Sequence, residues 1–105
     1  MKEYFKNLIN IIDGSLSSMD EAAFEGLVSD SVKALKGGNK IIVSGLGKNV
    51  PVCDKFVGTM ASMGLDAYYM NTNSAVHGDL GLVHAGDLVI ILTKSGETVE
   101  SVYLN

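Results

Sequence analysis

The sequence has little of what disulfide-stabilised, membrane-spanning or secreted proteins require. Cys53 is the only cysteine, so no internal disulfide can form and a reducing, cytoplasmic location is expected. A packed thiol on a helix is the favoured interpretation of Cys53, because a nucleophilic cysteine would need a base nearby. The longest unbroken apolar run, Leu88 to Leu92, is far too short to span a bilayer. The first residues, MKEYFKNLINIIDG, mix charges with apolar positions and lack the apolar core of a signal peptide.

Basic charge and proline are also scarce. The net charge of −4 and the lack of any lysine-rich run argue against a nucleic acid as the main partner, because phosphate backbones demand a basic face. One proline, 47% hydrophobic residues and only 19% charged residues indicate a packed globular chain instead of a disordered one. A length of 105 residues leaves room for one domain with one core.

Three segments have the apolar periodicity of helices. The first covers residues 5–16 and is expected to loosen near Gly14. The stretch Ser18–Glu21 matches a capping box that would open a second helix, and the glycines at 37–38 would end that helix. Pro51 fits the first turn of a third helix, since proline is tolerated only there.

Apolar, β-branched runs between and after these helices predict buried strands. The strands are expected from Lys40 to Ser44, from Asp66 to Met70 and from Leu88 to Thr93. Because strands that are apolar on both faces alternate with helices, the sequence predicts an α/β fold with a parallel sheet and helices on both faces. A fourth helix is expected from Thr98 onward.

The expected organisation is one domain over residues 1–105, with N-terminal helices in 1–37 and three βα units in 40–105. Strand one should lie between strands two and three, with right-handed connections. Three parallel strands are few for such a sheet, and an open parallel edge would seek a partner. We therefore expect the chain to be the N-terminal part of a longer protein, or its sheet to be completed by another copy.

Two polar, glycine-rich corners follow strands one and three. They are Ser44-Gly-Leu-Gly-Lys48 and Thr93-Lys-Ser-Gly-Glu-Thr98. Both corners are expected at one edge, because ligands of an open parallel sheet bind beyond the carboxyl ends of its strands. Hydroxyls beside the amides of a helix start can hold a phosphate. The alternative is a strand that turns into a helix whose start is capped by a hydroxyl. The dinucleotide fingerprint fails at Val50, and the glycine spacing of a P-loop fails as well.

Five short blocks follow one another along the chain. They are Gly45-Leu-Gly-Lys48, Ala61-Ser-Met-Gly64, His77-Gly-Asp-Leu-Gly81, Gly86-Asp-Leu-Val89 and Ser95-Gly-Glu-Thr98. In this order and spacing they resemble the sugar isomerase (SIS) domain family, and most of all its arabinose-5-phosphate isomerase branch. The resemblance implies a five-stranded, flavodoxin-like sheet of which this chain holds the first three strands. It also implies a phosphorylated sugar as ligand, a homodimer or tetramer, and no cofactor.

The resemblance implies roles for individual residues. Lys48, His77 and Glu97 would face the sugar as catalytic or orienting groups. The substrate-binding residues would be Ser44, Gly45, Gly47, Thr93, Ser95, Gly96 and Thr98. Among these, Ser95 and Thr98 would hold the phosphate. Asn49 replaces a serine that is usual in the family, and Lys94 replaces an asparagine or glutamine, so both alter the rim of the expected pocket.

Each of these roles has a structural alternative. Glu97 would stabilise a helix start through the helix dipole by about 0.3–1 kcal/mol, and a lone histidine such as His77 is often only a hydrogen-bonded structural residue. His84 is expected at the surface. His77, Asp79 and His84 lack a recognised metal-site spacing, so no metal requirement is predicted. Three functions stay open: an aldose–ketose isomerase, a phosphosugar sensor without turnover, and an interaction module with an empty pocket.

Overall fold

The computed structural model describes residues 1–71, 79–93 and 99–103 of the chain. Its elements, in chain order, are α1 (Lys2–Ser17), α2 (Glu21–Lys36), β1 (Ile41–Gly45), α3 (Asn49–Ser62), β2 (Ala67–Tyr69), a short 3₁₀ helix (Asp79–Leu82), β3 (Leu88–Leu92) and β4 (Val99–Tyr103). None of the helices in these ranges combines the length and apolar character that a bilayer crossing requires.

The sheet has the order β2-β1-β3-β4. Strand β1 is parallel to both of its neighbours, and Ile42 lies opposite Tyr68 of β2 and Val89 of β3. The predicted parallel α/β sheet with strand one in the centre is therefore confirmed. The predicted strand ends were shifted by one residue, because β1 includes Gly45 and β3 ends at Leu92.

The segment after the third strand differs from the prediction. A helix was expected from Thr98 onward, but Val99–Tyr103 forms β4, which pairs antiparallel with β3 from Leu92↔Val99 to Leu88↔Tyr103. Two valines and a tyrosine give this segment good strand propensity. The outer edge of β3 also offers unpaired backbone N–H and C=O groups, which an adjacent extended segment satisfies.

One face of the sheet carries the hydrophobic core. Alternate residues of the strands point to this face, where α2 contributes Ala34 and α3 contributes Cys53. The buried core residues are Ala34, Ile41, Val43, Cys53, Ala67, Leu88 and Ile90. Burial of one such isoleucine or leucine side chain contributes about 1.5–3 kcal/mol. The Cys53 thiol is a packed core group as predicted, and its burial, together with the nearby Asp54 carboxylate, raises its pKa.

The start of α2 is capped differently from the prediction. Asp20, not Ser18, is the N-cap, and its carboxylate accepts a hydrogen bond from the N–H of Ala23 at 3.0 Å. Ser18 cannot serve α2 because it is the C-cap of α1, where its N–H bonds back to the last turn. Helix α1 also runs through Gly14 without a break.

Candidate functional site

The first residues of the two predicted polar corners lie together at the carboxyl edge of the sheet. Strands β1 and β3 end side by side, because Gly45 lies opposite Leu92 in the parallel register. Gly45, at the start of the first corner, therefore lies beside Thr93, which directly follows Leu92 and is half-buried. His77 and the stretch 94–98, with Ser95, Gly96, Glu97 and Thr98, lie outside the described residues.

Gly45 is required by a close approach between β1 and α3. A Cβ atom at this position would meet the Asn49 Cβ at 2.9 Å, the Leu92 carbonyl oxygen at 3.3 Å and the Cys53 Sγ at 3.4 Å. These neighbours are backbone atoms and short side chains, so they cannot easily move to accommodate an added Cβ atom. Gly47 has a φ of +59°, a left-handed conformation that glycine adopts without strain. The two glycines thus turn the chain sharply from β1 into α3.

Asn49 ties the start of α3 to the end of β3. Its side-chain Nδ2 donates a hydrogen bond to the carbonyl oxygen of Leu92 at 3.3 Å. The residue before Thr93 is thereby held against the helix that follows the Gly45–Gly47 turn. The sequence identified Asn49 only as a departure from the family pattern, and its contact with Leu92 could not be read from it.

The start of α3 has no spare amide among its first three residues. The N–H groups of Asn49 and Val50 donate to the carbonyl oxygens of Leu46 and Gly47, each at 3.1 Å. Pro51 has no N–H at all. A helix start normally binds anions through such free amides. A phosphate at this corner therefore cannot bind to the amides of these three residues, and the loop after β3 is one neighbouring source of other donors.

Ser44 places an unusual polar atom at the same corner. The residue is only 1% exposed, and its hydroxyl oxygen has no hydrogen-bond partner among the described residues. A buried hydroxyl without a partner costs about 1–3 kcal/mol. Ser44 alternates with Val43 and so points to the face opposite the core. The Ser44 hydroxyl can therefore donate a hydrogen bond to a ligand oxygen, or accept one from a ligand hydroxyl, without losing an internal contact.

Lys48 stands at the entrance to this corner. It is the N-cap residue of α3, and its side chain makes no capping hydrogen bond. The residue is exposed, so the ammonium group can reach toward a ligand that lies beyond β1 and β3. The described residues therefore bring together Ser44, Gly45, Gly47, Lys48 and Thr93 of the predicted site.

A buried ionic cluster at the opposite edge of the sheet was not predicted. Asp87, 1% exposed, precedes β3 and binds the Lys40 Nζ at 2.6 Å. Its carboxylate also accepts hydrogen bonds from the backbone N–H of His84 at 2.7 Å and of Lys40 at 3.1 Å. Burial alone would raise the pKa of Asp87, but these hydrogen bonds outweigh it and lower the pKa to about 2. The cluster joins the starts of β1 and β3, so its role is structural.

His84 is exposed, as predicted, although it belongs to this cluster. Its Nδ1 lies 3.1 Å from the Lys40 Nζ. Among the residues that the structure describes, no three His, Cys, Asp or Glu side chains are grouped as metal ligands.

A cavity of about 390 Å³ lies on the sheet face opposite the core. Its walls are formed by Lys40, Ile42, Tyr68, Tyr69, Met70, Leu82 and His84. None of the predicted site residues that the structure describes lines it, and the Lys40 ammonium group is already bound by Asp87. The polar corner beyond β1 and β3 is therefore the better candidate for a phosphosugar.

Together these features define an open α/β domain with a candidate ligand corner beyond the carboxyl ends of its parallel strands. The chain belongs to the SIS domain family, whose family model matches residues 34–105. The sequence-based assignment to this family is thereby confirmed.

Several curated proteins are similar to this chain. An arabinose 5-phosphate isomerase (KdsD) of Pseudomonas aeruginosa is 38% identical over 79 residues, which cover 71% of this chain and 24% of that protein. The Salmonella typhi KdsD is 30% identical over 95 residues, covering 90% of this chain and 29% of the enzyme. An uncharacterised Helicobacter pylori protein is 34% identical over 76 residues, which cover 72% of this chain and 23% of that protein.

Two solved structures share the fold. A candidate phosphosugar isomerase involved in capsule formation from Bacteroides fragilis has a TM-score of 0.71 and 25% identity, covering 87% of this chain and 48% of that one. An Escherichia coli CFT073 protein in complex with a phosphosugar ligand has a TM-score of 0.61 and 26% identity. The match covers 82% of this chain and 50% of that one. The chain thus spans about a quarter of the curated relatives and about half of the solved chains.

Proposed function

We propose that this SIS domain binds a phosphorylated sugar at the corner beyond β1 and β3, and that the whole protein interconverts an aldose phosphate and a ketose phosphate. The observation that carries the proposal is the buried Ser44 hydroxyl, which has no partner among the described residues and stands beside the Gly45–Gly47 turn. The similarity to arabinose 5-phosphate isomerases and to a protein solved with a bound phosphosugar supports the same ligand class.

The phosphate would bind to the loop after β3. Since the first three residues of α3 offer no free amide, the donors would be Ser95 and Thr98, with the backbone of Gly96 and the hydroxyl of Thr93 nearby. Ser44 and the backbone of Gly45 and Gly47 would contact sugar oxygens. These contacts would place the sugar carbons beside Lys48.

Isomerisation requires a base at the carbon next to the carbonyl and an acid that serves the neighbouring oxygens. In the proposed reaction Glu97 takes the C2 proton, and the C2–H electron pair forms the C1=C2 bond of an enediol as O1 gains a proton. O2 then loses its proton, and C1 gains one, which gives the ketose. Lys48 would polarise the carbonyl oxygen, and His77 would assist ring opening or orient a hydroxyl. Because a carboxylate beside a phosphate is repelled, Glu97 would project toward the sugar.

Deuterium exchange tests the proposal. The whole protein is incubated with arabinose 5-phosphate in D₂O, and NMR follows the C2 proton. Exchange is expected for the natural protein and is expected to be lost in Glu97→Gln, whereas Glu100→Gln is the control for loss of a nearby acid. Undiminished exchange in Glu97→Gln would remove Glu97 as the base.

Binding is measured in parallel by calorimetry with the same sugar phosphate. Binding without exchange in the natural protein would favour a phosphosugar sensor over an isomerase. Absence of binding to pentose phosphates, hexose phosphates and inorganic phosphate would contradict the whole proposal and favour an interaction module. We also propose a cytoplasmic location, supported by the single buried cysteine, and self-association of the chain.

A further inference from the structure

Asn49 lies at the crevice between the ends of β1 and β3. The chain passes from β1 to β2 on one side of it and then to β3 on the other side. In an open α/β sheet, ligands bind where the strand order reverses in this way. A Cβ atom on Gly45, the last residue of β1, would lie 2.9 Å from the Asn49 Cβ and 3.3 Å from the Leu92 carbonyl oxygen. The Asn49 side chain therefore lies against the carboxyl ends of both strands.

The hydrogen bond to β3 determines which atom of the Asn49 amide faces away from Leu92. A backbone carbonyl oxygen can only accept, so the atom that lies 3.3 Å from the Leu92 oxygen is the Nδ2 donor. The Oδ1 atom has no hydrogen bond to any residue that the structure describes. Among these residues, the Ser44 hydroxyl is the only fully buried side-chain polar group without a partner. The Oδ1 acceptor is therefore accessible to a ligand.

The backbone around this acceptor suits a hydroxyl group better than a phosphate. The N–H groups of Asn49 and Val50 already donate to carbonyl oxygens of the preceding turn, each at 3.1 Å, and Pro51 has no N–H. The Lys48 ammonium group is exposed, so water and salt screen its charge. Phosphate oxygens at neutral pH act as acceptors, and Oδ1 repels them. A sugar hydroxyl can donate to Oδ1.

We propose that Asn49 is a specificity-determining residue, whose Oδ1 accepts a hydrogen bond from a sugar hydroxyl while its Nδ2 holds the Leu92 carbonyl. The ligand is thereby oriented with a hydroxyl group at the start of α3 and with its phosphate away from it. An amide has two polar atoms for these two contacts, whereas the serine that is usual at this position in the family has one. The inference rests on the proposed binding of a phosphorylated sugar but not on its turnover.

The first test compares two probes, arabinose 5-phosphate and inorganic phosphate, by calorimetry on the whole protein. Asn49→Ala removes the acceptor, so affinity for arabinose 5-phosphate is expected to fall about 3- to 10-fold. Affinity for inorganic phosphate is expected to change by less than about two-fold, because this probe has no sugar hydroxyl. A purely structural role of Asn49 would weaken the binding of both probes alike.

Ser31→Ala is the matched control for the loss of a side-chain hydrogen bond to backbone. Its hydroxyl donates to the Leu27 carbonyl of α2 at 2.8 Å, and neither residue belongs to the ligand corner. This variant is expected to bind both probes as the natural protein does. Circular dichroism checks that each variant is folded.

The second test identifies the hydroxyl group that Asn49 binds. Analogues of arabinose 5-phosphate that each lack one hydroxyl are compared on the natural protein and on Asn49→Ala. One analogue is expected to bind the natural protein about 3- to 10-fold more weakly than the parent sugar phosphate. The same analogue should lose nothing further in Asn49→Ala, because the two changes remove the same hydrogen bond.

A third measurement needs no variant and so does not depend on the folding of Asn49→Ala. In the natural protein, NMR follows the side-chain amide of Asn49 during titration with each probe. A new hydrogen bond to Oδ1 changes the electron distribution of the amide, so its resonances are expected to shift with arabinose 5-phosphate and to stay in place with inorganic phosphate.

The outcomes separate this inference from the proposed function. Equal weakening of both probes in Asn49→Ala, unchanged binding of arabinose 5-phosphate, or hydroxyl losses that simply add to the effect of Asn49→Ala would each overturn the role of Asn49. An amide resonance that ignores arabinose 5-phosphate would do the same. In all four cases the natural protein still binds the sugar phosphate, so the proposed function stands. Absence of that binding would contradict both.

Discussion

The side-chain amide of Asn49 donates a hydrogen bond to the backbone carbonyl of Leu92, and this single contact joins the first turn of α3 to the end of β3. Asn49 follows the Gly45–Gly47 turn, and Leu92 precedes Thr93. The contact therefore fixes the spacing between the Gly45–Gly47 turn and the end of β3, where Thr93 begins the second predicted polar corner.

Replacement of this amide by a carboxylate should reveal its contribution. In Asn49→Asp the donor is lost and a negative oxygen faces the Leu92 carbonyl, which is expected to cost about 1–3 kcal/mol. A carboxylate in the first turn of a helix stabilises the fold by about 0.3–1 kcal/mol. Since this is less than the cost of the lost hydrogen bond, the expected net effect is a loss of stability. Urea unfolding measures it, with Asn10→Asp on exposed α1 as the control. Unchanged stability in Asn49→Asp would mean that the hydrogen bond contributes nothing.

A methyl group at Gly45 should disturb the same corner. In Gly45→Ala the new Cβ would lie 2.9 Å from the Asn49 Cβ, and overpacking of this kind costs about 1–3 kcal/mol. Gly58→Ala is the matched control, because nothing lies within 4 Å of its added Cβ. In that exposed helical position alanine is expected to stabilise by about 0.5–1 kcal/mol. Thermal unfolding should therefore shift in opposite directions for the two variants.

The Lys40–Asp87 pair should make stability depend on acid pH. The pKa of Asp87, about 2, lies below the ordinary 3.8. The charged carboxylate therefore stabilises the fold fully above pH 3.8, and this contribution is lost as pH falls from there toward 2. Asp87→Asn is expected to cost roughly 2 kcal/mol at pH 7.

The cost of Asp87→Asn should shrink as pH falls toward 2, since the natural residue also becomes neutral there. Urea unfolding at pH 7, 5 and 3 follows this convergence. Asp66→Asn, at an exposed acid, serves as the control. A difference between Asp87→Asn and the natural chain that stays constant over this range would contradict the assigned role of the carboxylate.

Ser44→Ala should separate binding from stability. Because the buried hydroxyl has no partner among the described residues, its removal abolishes a desolvation cost, and stability should stay equal or rise by up to about 1 kcal/mol. Binding of a sugar phosphate, measured by calorimetry on the whole protein, should weaken about 5- to 10-fold. Ser31→Ala is the comparison, since its hydroxyl bonds to the Leu27 carbonyl at 2.8 Å. A clear loss of stability in Ser44→Ala would indicate a structural role instead.

The sequence predicted those elements of the fold that depend on residues close together in the chain. Continuous apolar runs identified β1 and β3 as buried parallel strands, and the glycines after Ser44 identified the turn from β1 into α3. Strand β4 was missed because its pairing depends on the free edge of β3, which local periodicity does not reveal. The capping of α2 was missed because Ser18 and Asp20 both suit an N-cap, and the extent of α1 decides between them.

The candidate site was predictable only in part. Gly45 and Lys48 were recognised from their family block, whereas the partners of Asn49 depend on a residue far along the chain. The Lys40–Asp87 pair, 47 positions apart, likewise exists only once β1 and β3 lie side by side. The roles of His77 and Glu97 stay predictions.

The central position of β1 has a consequence for hydrogen exchange. This strand has a parallel neighbour on each side, and the Lys40–Asp87 pair ties its start to that of β3. Strand β2, by contrast, has three residues and one neighbour. Amides that open only with the whole domain exchange slowest, and those at poorly supported edges exchange first. The amide protons of Ile42 and Val43 should therefore be the last to be replaced by deuterium, long after those of β2.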